Sequence, residues 1–169
     1  MKRQAGFTII ELVVVIALLG ILAAVALPRF IDVTTDAHRA SVQGSTGALG
    51  AAVSLVKAQA IVKNAGTGDT VAVDGTNIIV NGTRFPAGTN AAVITGGVTP
   101  VPALTAAACV AIWDSVLQAS APSAATAAGS DYRATVAGTT CTYAYQNNLP
   151  TVRSIAYDSN NGEVSAINP

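Results

Sequence analysis

Charge is scarce in this sequence. Lys, Arg, Asp and Glu make up only 11% of its 169 residues, and the two signs cancel to a formal net charge of zero. Soluble domains carry roughly 25% charged residues. Beyond the first few positions the charges stand singly, so no basic face is offered to nucleic acid. Little charge with 51% hydrophobic residues is the reverse of a disordered composition. Histidine occurs once, as His38, and cysteine twice, as Cys109 and Cys141, with no CxxC. That makes a poor zinc site, because zinc takes four ligands. There is no GxxxxGK to cradle a phosphate and no nucleophile elbow. No catalytic constellation, metal site or cofactor site is expected.

What is present begins at the N-terminus. MKRQAG is short, polar and basic. From Phe7 to Leu27 only Thr8 and Glu11 are neither apolar nor glycine. As a helix these positions span about 30 Å, enough for a bilayer core. Glu11 stands out, because a charge at the centre of a membrane helix costs about 2.5–3.5 kcal/mol even on the lenient scale. Pro28 ends the run, but no proline follows between Arg29 and Asn64. There Phe30, Val33, Ala37, Ala40, Gly44, Ala48, Ala51, Leu55 and Val62 recur at helical spacing and are expected to form the inner face. Asp32, Asp36, Arg39, Gln43 and Lys57 mark the other side. Gly44, Gly47 and Gly50 are expected to admit another element closely. Lys63 would close the last turn and Gly66 would stop the helix. The expected organisation is a leader at 1–6, a stalk helix at 7–64 and a globular head at 65–169. The helix is apolar all round at 7–27 and amphipathic at 28–64.

The head reads as compact α+β. Asp74-Gly75 and Asn81-Gly82 are hairpin signals between β-branched runs. A loop rich in Pro, Gly and Thr follows, up to Pro102. A short helix is expected over 104–118, with Cys109, Trp113 and Val116 or Leu117 facing inward. The segment 119–130 reads as loop. Strands are expected near 132–137, 140–146, 152–158 and 163–167, the last turn being Asn160-Asn161-Gly162. In an exported chain a disulfide is the expected use of Cys109 and Cys141, joining the short helix to the second strand of this meander; two buried thiols are the alternative. His38 is expected to face solvent or pack. DSNNGE (158–163) departs from a calcium loop in its glycine position and lacks the distal glutamate, so a strand turn is expected. Asn81-Gly82-Thr83 matches a glycosylation sequon, but a tight turn needs the same Asn-Gly.

Two readings of the front compete. A secretory signal would be cut after Ala24-Val25-Ala26, leaving a chain that starts at Leu27. The apolar run is longer than such signals, Glu11 is unfavourable within one, and the helical face continues past the cut. The other reading rests on KRQAGFTIIELVVVIALLGILAAVALPRF. This stretch resembles the type IV pilins, in particular the mannose-sensitive haemagglutinin branch. CVAIWDSVLQ followed by CTYAY adds a looser likeness in the head.

The resemblance implies a type IV pilin fold, with a long stalk helix packed on an antiparallel sheet. It implies cleavage after Gly6 by a prepilin peptidase and methylation of the new terminus at Phe7. The amine of Phe7 would pair with Glu11 of a neighbouring subunit; before assembly Glu11 would sit at the headgroup level. The segment from Gly20 to Pro28 would lose helicity in the filament, where otherwise Pro28 simply kinks the helix. The implied function is the major subunit of an extracellular pilus serving surface attachment. The alternatives are a type II secretion pseudopilin or a minor pilin. Implied partners are other copies of the chain, the peptidase, the inner membrane with its pilus assembly machinery, and minor pilins. The precursor would lie in the inner membrane of a Gram-negative cell with its head in the periplasm. Because 28 residues follow Cys141, receptor-contacting residues of other pilins are not carried over.

Overall fold

A computed structural model describes residues 6–89, 104–117, 119–147 and 150–168. The first leader residues and most of the Pro/Gly/Thr-rich loop lie outside these. By contacts the chain divides into two units, Met1–Ala37 and His38–Pro169.

One helix, α1, runs Ile9–Val62, continuous through Gly20 and Pro28. Within the first unit the described large apolar side chains of the helix stay exposed, from 49% at Val15 to 83% at Ile9. The segment Ile9–Leu27 has a mean hydropathy of 3.0 and buries nothing. An exposed apolar face this large marks a surface suited to lipid or to other protein chains.

In the second unit the helix covers a core. Val42, Leu49 and Val53 are buried against Trp113, Tyr143 and Ile155, while Val56 and Ala60 are buried against Val71, Ile78 and Val80. The face expected to be inside is instead outside: Ala40, Gly44, Ala48, Ala51, Leu55 and Val62 are exposed. The reason is side-chain size. Both faces read as apolar, but burial stabilises in proportion to area, so the valines and Leu49 outweigh glycine and alanine. Gly44 and Gly47 consequently have nothing within 4 Å of a Cβ, and only Gly50 approaches another element, 3.8 Å from Val164. Lys57, expected on the solvent side, lies 4.0 Å over the Phe85 ring.

Asn64, not Gly66, ends the helix. Its φ is +49°, the Ala65 amide donates to Ala60 O at 2.8 Å, and the Asn64 amide donates to Ile61 O at 3.0 Å. This pair of bonds is the Schellman motif, closed by contact between two buried alanines. Lys63 lies just past the last helical residue.

The expected single sheet is two. Strands β1 (Thr70–Val73), β2 (Thr76–Val80) and β3 (Pro86–Thr89) form an antiparallel three-stranded sheet. Asp74 and Gly75, with φ of +47° and +82°, make its first turn. Then α2 (Ala106–Val116) is capped by Thr105, whose side chain accepts from the Ala108 amide. The second sheet has five strands in sequential order: β4 (Ala124–Ala125), β5 (Tyr132–Ala137), β6 (Thr140–Tyr145), β7 (Ser154–Asp158) and β8 (Val164–Ile167). All neighbours are antiparallel except β4 and β5. The strand β4 falls in the segment read as loop. Its residues are alanines without strand propensity, and Asp131 holds it by accepting from the Ser123 amide and hydroxyl.

The two sheets are stitched together by the segments after β2 and β7. The Asn81 side-chain amide donates to Ser159 O, and the Thr83 hydroxyl donates to Asn160 O. Gly162, at φ +74°, lies under Phe85, where a Cβ would stand 1.9 Å from the ring.

Candidate assembly site

Gly6, Phe7 and Thr8 precede the helix and are exposed. A peptide bond outside regular structure can be drawn extended into a protease without unfolding anything, so the Gly6–Phe7 junction has the access that cleavage requires.

Thr8 is the N-cap of α1 and Glu11 is the third helical residue. Glu11 Oε2 accepts from the Thr8 amide at 2.9 Å and from the Thr8 hydroxyl at 2.7 Å, while the Glu11 amide points at Thr8 Oγ1 from 3.4 Å. This is a capping box. It gives the carboxylate a local structural purpose that the sequence reading passed over, although T-x-x-E ahead of an apolar run is the recognised signal. The carboxylate is therefore held by the first turn of its own helix. Phe7, Ile10, Val14 and Val15 surround it in a shallow apolar cleft. Two bonds from Thr8 leave lone pairs on Glu11 free for a cation, since a carboxylate can accept about four hydrogen bonds.

Gly20 is exposed and has nothing within 4 Å of its Cβ position. Gly20 and Pro28 sit in unbroken α-helix in this single chain.

Cys109 and Cys141 are bonded to each other, with Cα atoms 5.7 Å apart. The bond joins α2 to β6, the second strand of the meander, and both residues are fully buried. Trp113 lies one turn on, its ring 4.9 Å from Tyr132 and 4.7 Å from Tyr143. Its indole N–H donates to Pro122 O at 2.8 Å. His38 packs rather than ligates: its Nδ1 lies 3.1 Å from the Tyr145 hydroxyl. The 158–163 segment is a turn, with the Asn160 amide donating to the Asp158 carboxylate at 2.9 Å and the Gly162 amide to Asp158 O at 2.8 Å. Asn81 uses both ends of its amide inside the fold: its oxygen accepts from the Thr83 and Phe85 amides, each at 3.0 Å. Among the described residues no three His, Cys, Asp or Glu converge as a metal site.

Residues 1–27 match the family profile described as the prokaryotic N-terminal methylation motif. The chain is 45% identical over 58 residues to a type IV narrow pilus major component of Thermus thermophilus, covering 34% of this chain and 50% of that one. It is 42% identical over 72 residues to a fimbrial protein of Pseudomonas aeruginosa, covering 41% and 47%. It is 65% identical over 35 residues to a type IV major pilin of Neisseria gonorrhoeae, covering 21% of each chain. The matches thus span half the length of these relatives or less. No solved structure matches the chain. The long first helix, the antiparallel sheet, the short second helix and the disulfide form an α+β arrangement consistent with the type IV pilin fold, and the N-terminal part of the chain is similar to that of type IV pilins.

Proposed function

We propose that this protein is the major structural subunit of an extracellular type IV pilus and polymerises through its N-terminal helix. The observation that carries this reading is the first unit of the chain. Over Ile9–Leu27 it is an exposed apolar helix, headed by a methylation motif and carrying one carboxylate, Glu11. The prepilin peptidase cuts after Gly6 and leaves a charged amine on Phe7, which is then methylated. In the inner membrane, with the head in the periplasm of a Gram-negative cell, Ile9–Leu27 meets lipid. In the fibre it meets other copies. There Glu11 of one subunit pairs with the Phe7 amine of the next. Such a pair rewards correct register more than it adds stability, because an unpartnered buried charge costs about 3–5 kcal/mol. The segment between Gly20 and Pro28 is where the helix yields on assembly, since proline removes one backbone bond there and glycine weakens another turn. The assembly machinery and minor pilins act on this protein, and the fibre serves attachment in the manner of the mannose-sensitive haemagglutinin pili.

Intact mass and N-terminal sequencing of sheared surface fibres test the proposal. The expected result is a dominant chain beginning at methylated Phe7, with the Cys109–Cys141 bond intact. A chain beginning at Leu27, or one absent from the fibres, overturns it.

A further inference from the structure

The head holds a run of rings that its packing alone does not require to end where it does. Tyr143 lies 4.7 Å from Trp113, Trp113 lies 4.9 Å from Tyr132, and Tyr132 lies 5.3 Å from Tyr145, centroid to centroid. The next ring is His38, 5.6 Å from Tyr145. At one end of the run the Tyr143 hydroxyl donates to the backbone carbonyl of Cys109 at 2.8 Å. The other end is the half-buried imidazole on α1.

The hydroxyl partners separate the tyrosines chemically. Tyr143 and Tyr157 donate to backbone carbonyls, of Cys109 and Pro86 respectively. The buried Tyr132 hydroxyl interacts with the Ser45 side chain, which is no base. Tyr145 alone of the four faces a base, with His38 Nδ1 at 3.1 Å. An oxidised phenol is strongly acidic and must shed its proton to be stable. A carbonyl is too weak a base to take it, whereas imidazole, with a pKa of about 6.5, can.

We propose that this stack delivers one-electron oxidation to Tyr145, with His38 as proton acceptor. The oxidant is a diffusing oxygen-derived radical, which removes one electron from a ring of the stack. The electron that refills that ring comes from Tyr145 by tunnelling across the intervening rings, which stay reduced, so no other phenol has to lose a proton. At Tyr145 the electron leaves the phenol, its O–H bond breaks, and an N–H bond forms on His38 Nδ1, with the resting ring hydrogen on Nε2. A neutral tyrosyl radical and an imidazolium remain. A dissolved one-electron reductant of the ascorbate class returns the electron, and the imidazolium returns the proton. Nothing is consumed in the protein. The inference is independent of the pilus reading, because it concerns only the unit His38–Pro169.

Trp113 is the single tryptophan of the chain, which makes it a clean starting point. Photoionisation of Trp113 in the full-length protein in detergent, with the ejected electron scavenged, should show the indolyl signal decaying as a tyrosyl signal rises. Peptide mapping with a spin trap should place the adduct on Tyr145. His38→Phe keeps a ring but removes the base, and should slow the tyrosyl rise by about a hundredfold, the low end of what a positioned proton acceptor contributes. Tyr145→Phe should leave the indolyl signal long-lived. Heavy water should slow the rise in the parent and have no effect in Tyr145→Phe. Near-ultraviolet circular dichroism checks that both variants keep the head folded; His38→Leu replaces the first and Tyr145→Leu the second where one does not. A tyrosyl rise at the parental rate in the variants, or an adduct on Tyr157, overturns the proposal.

Discussion

The two ends of α1 solve the same problem in opposite ways. From Val42 to Ala60 the helix buries one stripe against two sheets, and the valines and Leu49 of that stripe are at most 1% exposed. From Ile9 to Leu27 it buries nothing, although its mean hydropathy is far higher. Hydropathy alone thus says nothing about where a helix finds its partner. The half with moderate hydropathy is supplied by its own chain. The half with extreme hydropathy is apolar all round, as a helix is that will be surrounded on every side. Stability follows the same division. The lower half belongs to a unit closed by a disulfide, a Schellman cap and the Asn81–Ser159 stitch. Along Ile9–Leu27 the described interactions are the helix's own backbone bonds and the Thr8–Glu11 box.

The sharpest way to separate the two ends is Glu11→Ala. It should leave the melting of the head unchanged and abolish or greatly reduce sheared fibre, as the loss of one partner of a buried pair costs about 3–5 kcal/mol. Immunoblots of membrane and fibre fractions measure it; parental fibre levels from this mutant would detach Glu11 from assembly.

Removing the staple should do the reverse. A Cys109→Ser, Cys141→Ser double variant opens a loop with a sequence separation of 32 residues and should cost the head roughly 3–4 kcal/mol. Urea unfolding read at Trp113 measures this, and insertion of the first helix into membranes should be unaffected.

A pair of leucines tests the phase of the lower half. Leu49 is fully buried and Leu55 is 51% exposed. Leu49→Ala should cost about 2–5 kcal/mol, and Leu55→Ala should stay within about 0.5 kcal/mol in the isolated chain. Equal costs would mean that the outer stripe is also packed.

The smallest effect concerns the edge of the five-stranded sheet. Hydrogen bonds from Ser123, foremost its hydroxyl, and then from Asn147 hold the Asp131 carboxyl below the usual carboxylate range. A lowered folded pKa contributes stability above the unfolded value and loses it as pH falls through the folded one. The parent should therefore weaken as pH drops below about 4, and Asp131→Asn should flatten that part of the curve. The group is exposed, so the increment should be under about 1 kcal/mol. Thermal melts across acid pH read it out.

The sequence by itself determined the features that rest on local rules. The reach of the long helix followed from uninterrupted periodicity and the absence of proline after Pro28. The turns at Asp74-Gly75 and Asn160-Asn161-Gly162 followed from residues that tolerate positive φ. The strands β5 to β8 and the partnership of Cys109 with Cys141 followed from alternation and from having two thiols alone. The capping box was also legible in TIIE, because it is local, but the question raised by a charge in an apolar run hid it.

Only the tertiary structure decided which face of the helix is inside. Two stripes of similar pattern differ by a few methyl and methylene groups, and that difference counts only once a sheet is present to cover one of them. It also decided that the strands form two sheets, that alanines at 124–125 pair as a parallel edge strand, and that Asn64 rather than Gly66 ends α1. Tyr145 meets His38 across 107 positions of chain, with the rings of Tyr132 and Trp113 stacked behind it. No spacing encodes such a meeting, because it depends on how the helix is rotated about its own axis when it lands on the sheet.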